Sequence, residues 1–417
     1  MRMYKITACL LLCIASFRVC AQSLTYSEYI DSVIEYNQAY RAEKLSLPIS
    51  ESMLKASRSI PNPSVSVEYG NNSDWAIAMG QTLDVGLSQT ITPGVTAAKK
   101  RVAKSELDMV GTALDEYLLN LKTEATKVFI DALLARDLLS VALQNMANMR
   151  SLAYGDSLRY AKGDISQLDM MQTSIESKIA SQEYGEALAD YRNALLALDS
   201  YVGNPRRGTK SVDGTLVCVD MSLSMAELRE TALQSRPDLR SSQQAVALAE
   251  NQKRLARRER IPEFELSLGV SLNSRVRNEE APAPEYVGYS AGLSLPIPFS
   301  SANKGNMRAA QLTVQQAELQ SEAAVAQAET EIMQAYNNYI LAKQNAQTYT
   351  AQLIADAETI LNGRMYAYQR GETSLVEVLA AQQTYGEVRK SYAEALHRCM
   401  TALVELQKSV GRIDITL

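Results

Sequence analysis

Between residues 107 and 153, apolar or small side chains return in steps of four and three: Leu107, Gly111, Leu114, Leu118, Leu121, Ala125, Val128, Ala132, Ala135, Leu139, Ala142, Met146, Met149 and Ala153. An average period of 3.5 marks a long supercoiled helix. Another series runs in strict sevens through Leu319, Ala326, Met333, Ile340, Gln347, Ile354, Leu361 and Tyr368. Beside it lie Val325, Ile332, Tyr339, Ala346, Leu353, Ile360 and Ala367. Gln347 is the one clearly polar break, and such a residue can set register at some cost in stability. Two adjacent seams predict two neighbours, hence a ring of helices rather than a two-stranded coil. Continuous helices are expected over about 97–160 and 303–368, each about 95 Å long at 1.5 Å per residue. Shorter helices follow over 166–202 and 374–410.

A different period precedes each long helix. Val65, Val67 and Tyr69 alternate with Ser64, Ser66 and Glu68; Phe264, Leu266, Leu268 and Val270 alternate with Glu263, Glu265, Ser267 and Gly269. Period two predicts strands. With partners near 79–91 and 286–297 and polar turns between, they form two hairpins. Amphipathic helical regions come first, over 26–59, broken near Gln38, and 225–260, broken at Pro237. Pro61 and Pro262 close them.

The order is therefore written twice. Tyr160, Gly163, Ser166, Asp169, Val202 and Gly203 return as Tyr368, Gly371, Ser374, Glu377, Val410 and Gly411, all offset by 208. Ile60-Pro61 returns as Ile261-Pro262 at offset 201, and Leu87-Ser88 as Leu293-Ser294 at 206. Offsets that grow stepwise are what small loop insertions produce. Residues 22–205 and 222–417 read as two structural repeats joined by a linker, 206–221.

Residues 1–21 read as a signal peptide: Arg2 and Lys5, an apolar run over 7–16, then Val19-Cys20-Ala21. Val19 is bulky where a lipoprotein signal takes a small residue, so cleavage is expected before Gln22. Beyond this segment no apolar run reaches the ~20 residues of a membrane-spanning helix. Four strands cannot close a barrel by themselves, and an open edge fails in lipid. Three copies would supply twelve strands and twelve helical columns. The expected fold is mainly α with a small β part, a trimeric α-barrel of long coiled-coil helices plus a 12-stranded transmembrane β-barrel.

Composition narrows the function. Past residue 21 the chain holds 39 basic and 47 acidic residues, against a nucleic-acid binder. One histidine, His397, rules out a multi-His metal site; it reads as structural. No phosphate loop, Ser/His/Asp set or Cys-x-x-Cys is present, so neither an enzyme nor a cofactor is expected. Cys218 and Cys399 could pair in an oxidising compartment, but their spacing does not show it, and two unpaired thiols are the first expectation. Of 26 aromatic residues 21 are Tyr, the aromatic that tolerates one wet end.

The signal peptide, the duplicated helix–hairpin–helix order, the Tyr-x-x-Gly-x-x-Ser-x-x-acid element and the terminal Val-Gly of each half together resemble the TolC-type outer-membrane efflux proteins. The resemblance covers about 25–411. Residues 293–310, Leu-Ser-Leu-Pro-Ile-Pro-Phe-Ser-Ser-Ala-Asn-Lys-Gly-Asn-Met-Arg-Ala-Ala, are similar to the CzcC/CusC-like heavy-metal efflux branch; the first half has the more general Leu-Ser-Gln-Thr-Ile-Thr-Pro-Gly from Leu87. This resemblance implies an outer-membrane exit duct: a homotrimer in outer-membrane lipid with a periplasmic tunnel, joined to a periplasmic adaptor and an inner-membrane pump. An outlet for type I protein secretion and a non-channel periplasmic tether are the competing readings.

The informative residues are two helix reversals. Gly163 and Gly371 supply a positive φ, Ser166 and Ser374 stand as N-caps, and Asp169 and Glu377 follow at capping-box spacing. The resemblance implies that Tyr160, Gly163, Asp164, Ser166, Tyr368, Gly371, Glu372 and Ser374 form the tips presented to the adaptor. It also makes Asp169 and Glu377 acids of the pore entrance, repeated three-fold. Thr373 stands where some relatives carry an arginine, which leaves a salt-bridged tip lock in doubt.

Overall fold

A computed structural model describes residues 23–72, 78–204, 206–219, 224–297 and 302–414. The expected signal peptide, Pro298 and the Ser73-Asp74 part of the first hairpin turn lie outside them. The elements are α1 (Tyr26–Tyr36), α2 (Gln38–Glu43), α3 (Ser46–Ala56), β1 (Ser64–Asn71), β2 (Gln81–Ile91), α4 (Val95–Lys162), α5 (Gln167–Tyr201), α6 (Met225–Ser235), α7 (Pro237–Arg258), β3 (Phe264–Asn273), β4 (Tyr286–Ser294), α8 (Ala302–Thr348), α9 (Ala351–Gln369) and α10 (Leu375–Val410). Two compact units result, each drawing on both repeats. The first comprises Met1–Glu43, Asp115–Arg236 and Ala326–Leu417; the second comprises Lys44–Leu114 and Pro237–Val325.

The second unit holds the sheet. Its order is β1-β2-β3-β4, antiparallel throughout, so β2 and β3 join the two hairpins. The register sorts the faces. One face carries the rows Val65-Leu87-Leu268-Ala291, Val67-Val85-Val270-Tyr289 and Tyr69-Leu83-Leu272-Val287; the other carries Ser64-Ser88-Ser267-Gly292, Ser66-Gly86-Gly269-Ser290 and Glu68-Asp84-Ser271-Gly288. Each strand alone is weakly apolar, yet the four in register make one continuous apolar face, most of it exposed. Among the described residues, β1 and β4 each have one partner and one open edge. Beneath the sheet, Ala249, Val314 and Ala317 form a small-residue core, and Asn251 donates to Ser105 at 2.8 Å.

The first unit packs around the middle of α4. Ala125, Phe129, Ile130, Ala132 and Leu133 are fully buried against Tyr29 and Val33 of α1, Leu195 and Leu198 of α5, and Met400 and Val404 of α10. The α4 seam is right but narrow, because Phe129, Ile130 and Leu133 beside it are buried as well. Lys127 joins Glu124 and Glu405, and His397 Nε2 lies 2.6 Å from Asp131.

Three expectations need correction. The helix expected over 303–368 is two helices. Thr350 takes an extended conformation and its hydroxyl accepts from the Leu353 amide at 3.2 Å, an N-cap that starts α9 afresh. The break changes the buried stripe. Ile332, Tyr339 and Ala346 face the core before it, and Leu361 and Tyr368 after it; Leu319 and Met333 are exposed at 66% and 49%. The seven-residue steps of the sequence continue across this break in the backbone and do not mark it. Secondly, the first helical region breaks after Glu43 as well as at Asn37.

Thirdly, Cys218 and Cys399 are disulfide-bonded, Cα to Cα 5.6 Å across 181 positions. The segment 206–219 runs over the bundle as a strap, which brings the cysteines together. The Leu24 amide donates to Ser211 and that of Asp213 to Leu24, while Val212 and Leu216 are buried and Tyr339 donates to the Val219 carbonyl. Cys218→Ser with Cys399→Ser should therefore cost about 2–4 kcal/mol, since the lost cross-link closes a long loop. Denaturant unfolding with and without reductant checks this; reductant should matter only to the wild type.

Candidate functional site: the paired helical tips

Both reversals are built alike. After α4 the Gly163 amide donates to Tyr160 and the Asp164 amide to Arg159, each at 2.9 Å; after α9 the Gly371 amide donates to Tyr368 at 3.0 Å and the Glu372 amide to Ala367 at 2.9 Å. These are paired Schellman bonds with glycine left-handed, at φ 84° and 77°. No atom lies within 4 Å of a Cβ built on either glycine. The φ alone asks for glycine here. At Gly411, φ 83°, a Cβ would also come within 2.9 Å of the Arg236 backbone. Gly371→Ala should cost about 1–2 kcal/mol, the left-handed penalty of an L-residue, and Gly411→Ala clearly more. Thermal unfolding of the two variants measures the difference.

The caps differ. Ser166 accepts from the Asp169 amide at 3.1 Å and donates to the Asp169 carboxylate at 2.8 Å. Ser374 has cap backbone geometry but makes no side-chain cap bond, a departure from the expected symmetry. Glu377 instead accepts from Arg364 at 2.5 Å and from Thr373 at 2.6 Å. The second tip thus has an ion pair after all, drawn from α9 rather than from the turn. Gly163, Asp164, Ser166, Gly371, Glu372, Ser374 and Glu377 are exposed, as is Tyr160 at 41%; Asp169 is half-buried.

Tyr368 alone of the expected residues turns inward. It is buried with Met149, Leu152, Ala180, Leu375 and Val378, a cluster drawn from α4, α5, α9 and α10. Its hydroxyl donates to Asp156 Oδ2 at 3.1 Å; Asp156 is 1% exposed. The Arg159 guanidinium lies 4.8 Å from the Tyr368 ring centroid, donates to its carbonyl at 3.2 Å and approaches Asp156 at 3.7 Å. Burial raises the Asp156 carboxyl above the usual range despite bonds from Tyr368 and Thr173 and the Arg159 charge. Burial also pushes the Tyr368 hydroxyl up to about 12, with the Asp156 charge second. Asp156 and Arg159 were not among the expected site residues. The signal was present: Asp156 is the next step of the α4 seam after Ala153, and an acid at a buried position demands a partner.

Between α5 and α10, above α4, runs a groove of about 950 Å³ whose walls include Glu176, Glu183, Glu186, Asp190 and Glu387, with Lys390. Among the described residues no three His, Cys, Asp or Glu side chains are grouped to hold a metal.

Known proteins align with this architecture. A family model for outer membrane efflux proteins matches residues 228–412. The cobalt-zinc-cadmium resistance protein CzcC of Cupriavidus metallidurans is 22% identical over 95% of the chain and 92% of its own length. Protein CyaE of Bordetella pertussis is 24% identical over 77% of the chain and 69% of its own. Among solved structures, CusC superposes with a TM-score of 0.75 at 17% identity, over 93% of this chain and 92% of that one. The outer membrane protein VceC of Vibrio cholerae gives 0.73 at 16%, over 93% and 96%.

Proposed function

We propose that this chain, whose residues 228–412 match the family model of outer membrane efflux proteins, is the outer-membrane exit duct of a tripartite efflux system. It works as a passive homotrimer, takes cargo from an inner-membrane pump through a periplasmic adaptor, and performs no chemistry. One observation carries this reading. The sheet has an unbroken apolar face opposite a Ser/Gly/acid face, and two open edges. Apolar toward lipid and polar toward a lumen is the pattern of a transmembrane barrel, and lipid tolerates no open edge. Three copies close twelve strands, to which each repeat, 22–205 and 222–417, gives one hairpin. The cobalt-zinc-cadmium resistance relative favours heavy-metal cations as cargo.

In this duct the exposed tip residues Tyr160, Gly163, Asp164, Ser166, Gly371, Glu372 and Ser374 meet the adaptor. Tyr368, with Asp156 and Arg159, ties the second tip to α4 and holds the entrance narrow. Asp169 and Glu377 stand as entrance acids, the latter neutralised by Arg364 while the tip is at rest. The purified protein should have a trimer's mass in detergent and conduct in planar bilayers. A stable monomer with full β-content would sink the reading.

A further inference from the structure

The strand ends Ser64, Ile91, Phe264 and Ser294 share one end of the sheet, and there the chain passes into its helices. Three short stretches flank that end: 95–104 opens α4, 253–260 ends α7 and 302–308 opens α8. They hold eleven of the chain's 42 Lys and Arg residues and a single acid, Glu259. This concentration sits in an otherwise acidic protein. Lys99, Lys100, Arg101, Lys104, Arg254, Arg257, Arg258, Arg260, Lys304 and Arg308 are exposed, and Lys253 is half-buried. Of these eleven, only Arg254 has an ion-pair partner among the described residues, Glu250 at 3.5 Å.

Helix stability explains only Arg257 and Arg258, which sit in the last turn of α7 and complement its macrodipole. Neither α4 nor α8 has an acid in its first turn, and cations there oppose the macrodipole. The opposite end of the sheet differs: residues 274–285 carry two Arg against three Glu. Arg258 lies over Gly94, its side chain 3.5 Å from a Cβ built there, so the end of α7 meets the start of α4. Beside it, Lys99, Arg260, Asn303 and Thr92 line a cleft of about 330 Å³ that Glu259 and Glu263 also border.

We propose that this basic belt binds the anionic phospholipid headgroups of the leaflet on the helical side of the barrel. The inference rests on the barrel reading above, which puts the belt where the apolar face stops and the headgroup layer begins. Unpaired cations at that depth meet phosphates across less than a Debye length. Binding would fix how deep the barrel sits, with headgroup charge supplying the counterions that the chain lacks.

The test places the full trimer in nanodiscs of phosphatidylethanolamine with a minor share of phosphatidylglycerol. Lipid retained after detergent stripping is identified by native mass spectrometry. Wild-type protein should retain phosphatidylglycerol enriched on the order of tenfold over its bulk share, and 0.5 M NaCl, about half-molar, should remove the enrichment by screening. The variant K99Q/K100Q/R101Q/K104Q should retain it at the bulk ratio. The variant R254K/R257K/R258K/R260K keeps the charge and should behave as wild type. Equal enrichment in the neutralised variant overturns the proposal, as does enrichment that salt leaves intact. So does a neutralised variant whose ion selectivity shifts while its lipid ratio stays, because the belt would then face the lumen. Failure of the wild type to insert and conduct would overturn the duct reading itself, a separate result.

Discussion

Tyr368→Phe should open the tip. The substitution keeps the ring among Met149, Leu152 and Val378 but removes the hydroxyl by which α9 donates to the buried Asp156. A hydrogen bond to a charged group is worth about 1.5–3 kcal/mol, so each tip shifts toward open by roughly ten- to a hundredfold. Single-channel recording should show larger and longer openings without adaptor, while the trimer stays assembled. Asp156→Asn tests the same contact from the other side and adds a pH signature. Burial raises the Asp156 carboxyl, so the closed tip holds that proton more tightly than the open one. Its contribution to closure is full below the ordinary carboxylate value and is lost as pH rises through the raised one. Wild-type openings should therefore increase with pH over that window, and Asp156→Asn should flatten the dependence. A Tyr368→Phe channel indistinguishable from wild type would remove this residue from the gate.

Two charge insertions should separate folding from assembly. Ala132 is fully buried in the core around α4. Ala132→Glu places an unpaired charge there, at a cost of several kcal/mol, enough to unfold much of the protomer's helical core. Leu319 and Met333 lie on the exposed stripe of α8, an apolar face that a neighbouring copy in a trimer would cover. Leu319→Glu with Met333→Glu should leave each protomer's helix content intact but abolish the trimer. Circular dichroism and mass in detergent distinguish the outcomes; a stable trimer of the double variant would show that another face joins the copies.

Much of this was legible from one sequence because the governing forces are local or periodic. The α4 seam follows from 3.5-residue repetition, the strands from period two, and the tip reversals from glycines whose φ is positive wherever the chain then leads. The same offset of 208 that pairs Gly163 with Gly371 also pairs their Schellman bonds. Local reading failed where a side chain had a local and a distant partner to choose between. Ser374 has the spacing of a capping box, yet Glu377 prefers Arg364, thirteen residues away. Thr350 starts a new helix inside a run of sevens whose one polar member, Gln347, lies just before it, and the period itself continues across the cap.

What the sequence by itself determined is the inventory: which stretches are helix or strand, where they reverse, that the order is duplicated and that four strands leave edges to be closed. The tertiary structure alone decided partners across long separations. It joined Cys218 to Cys399 through the strap, Asp156 to Tyr368 across 212 residues, and β2 to β3 in the register that gathers half-apolar strands into one apolar face. Periodicity records which side of an element is buried, because burial acts on each residue singly. Which element does the burying depends on loop paths and pairwise geometry, and no local period carries that information.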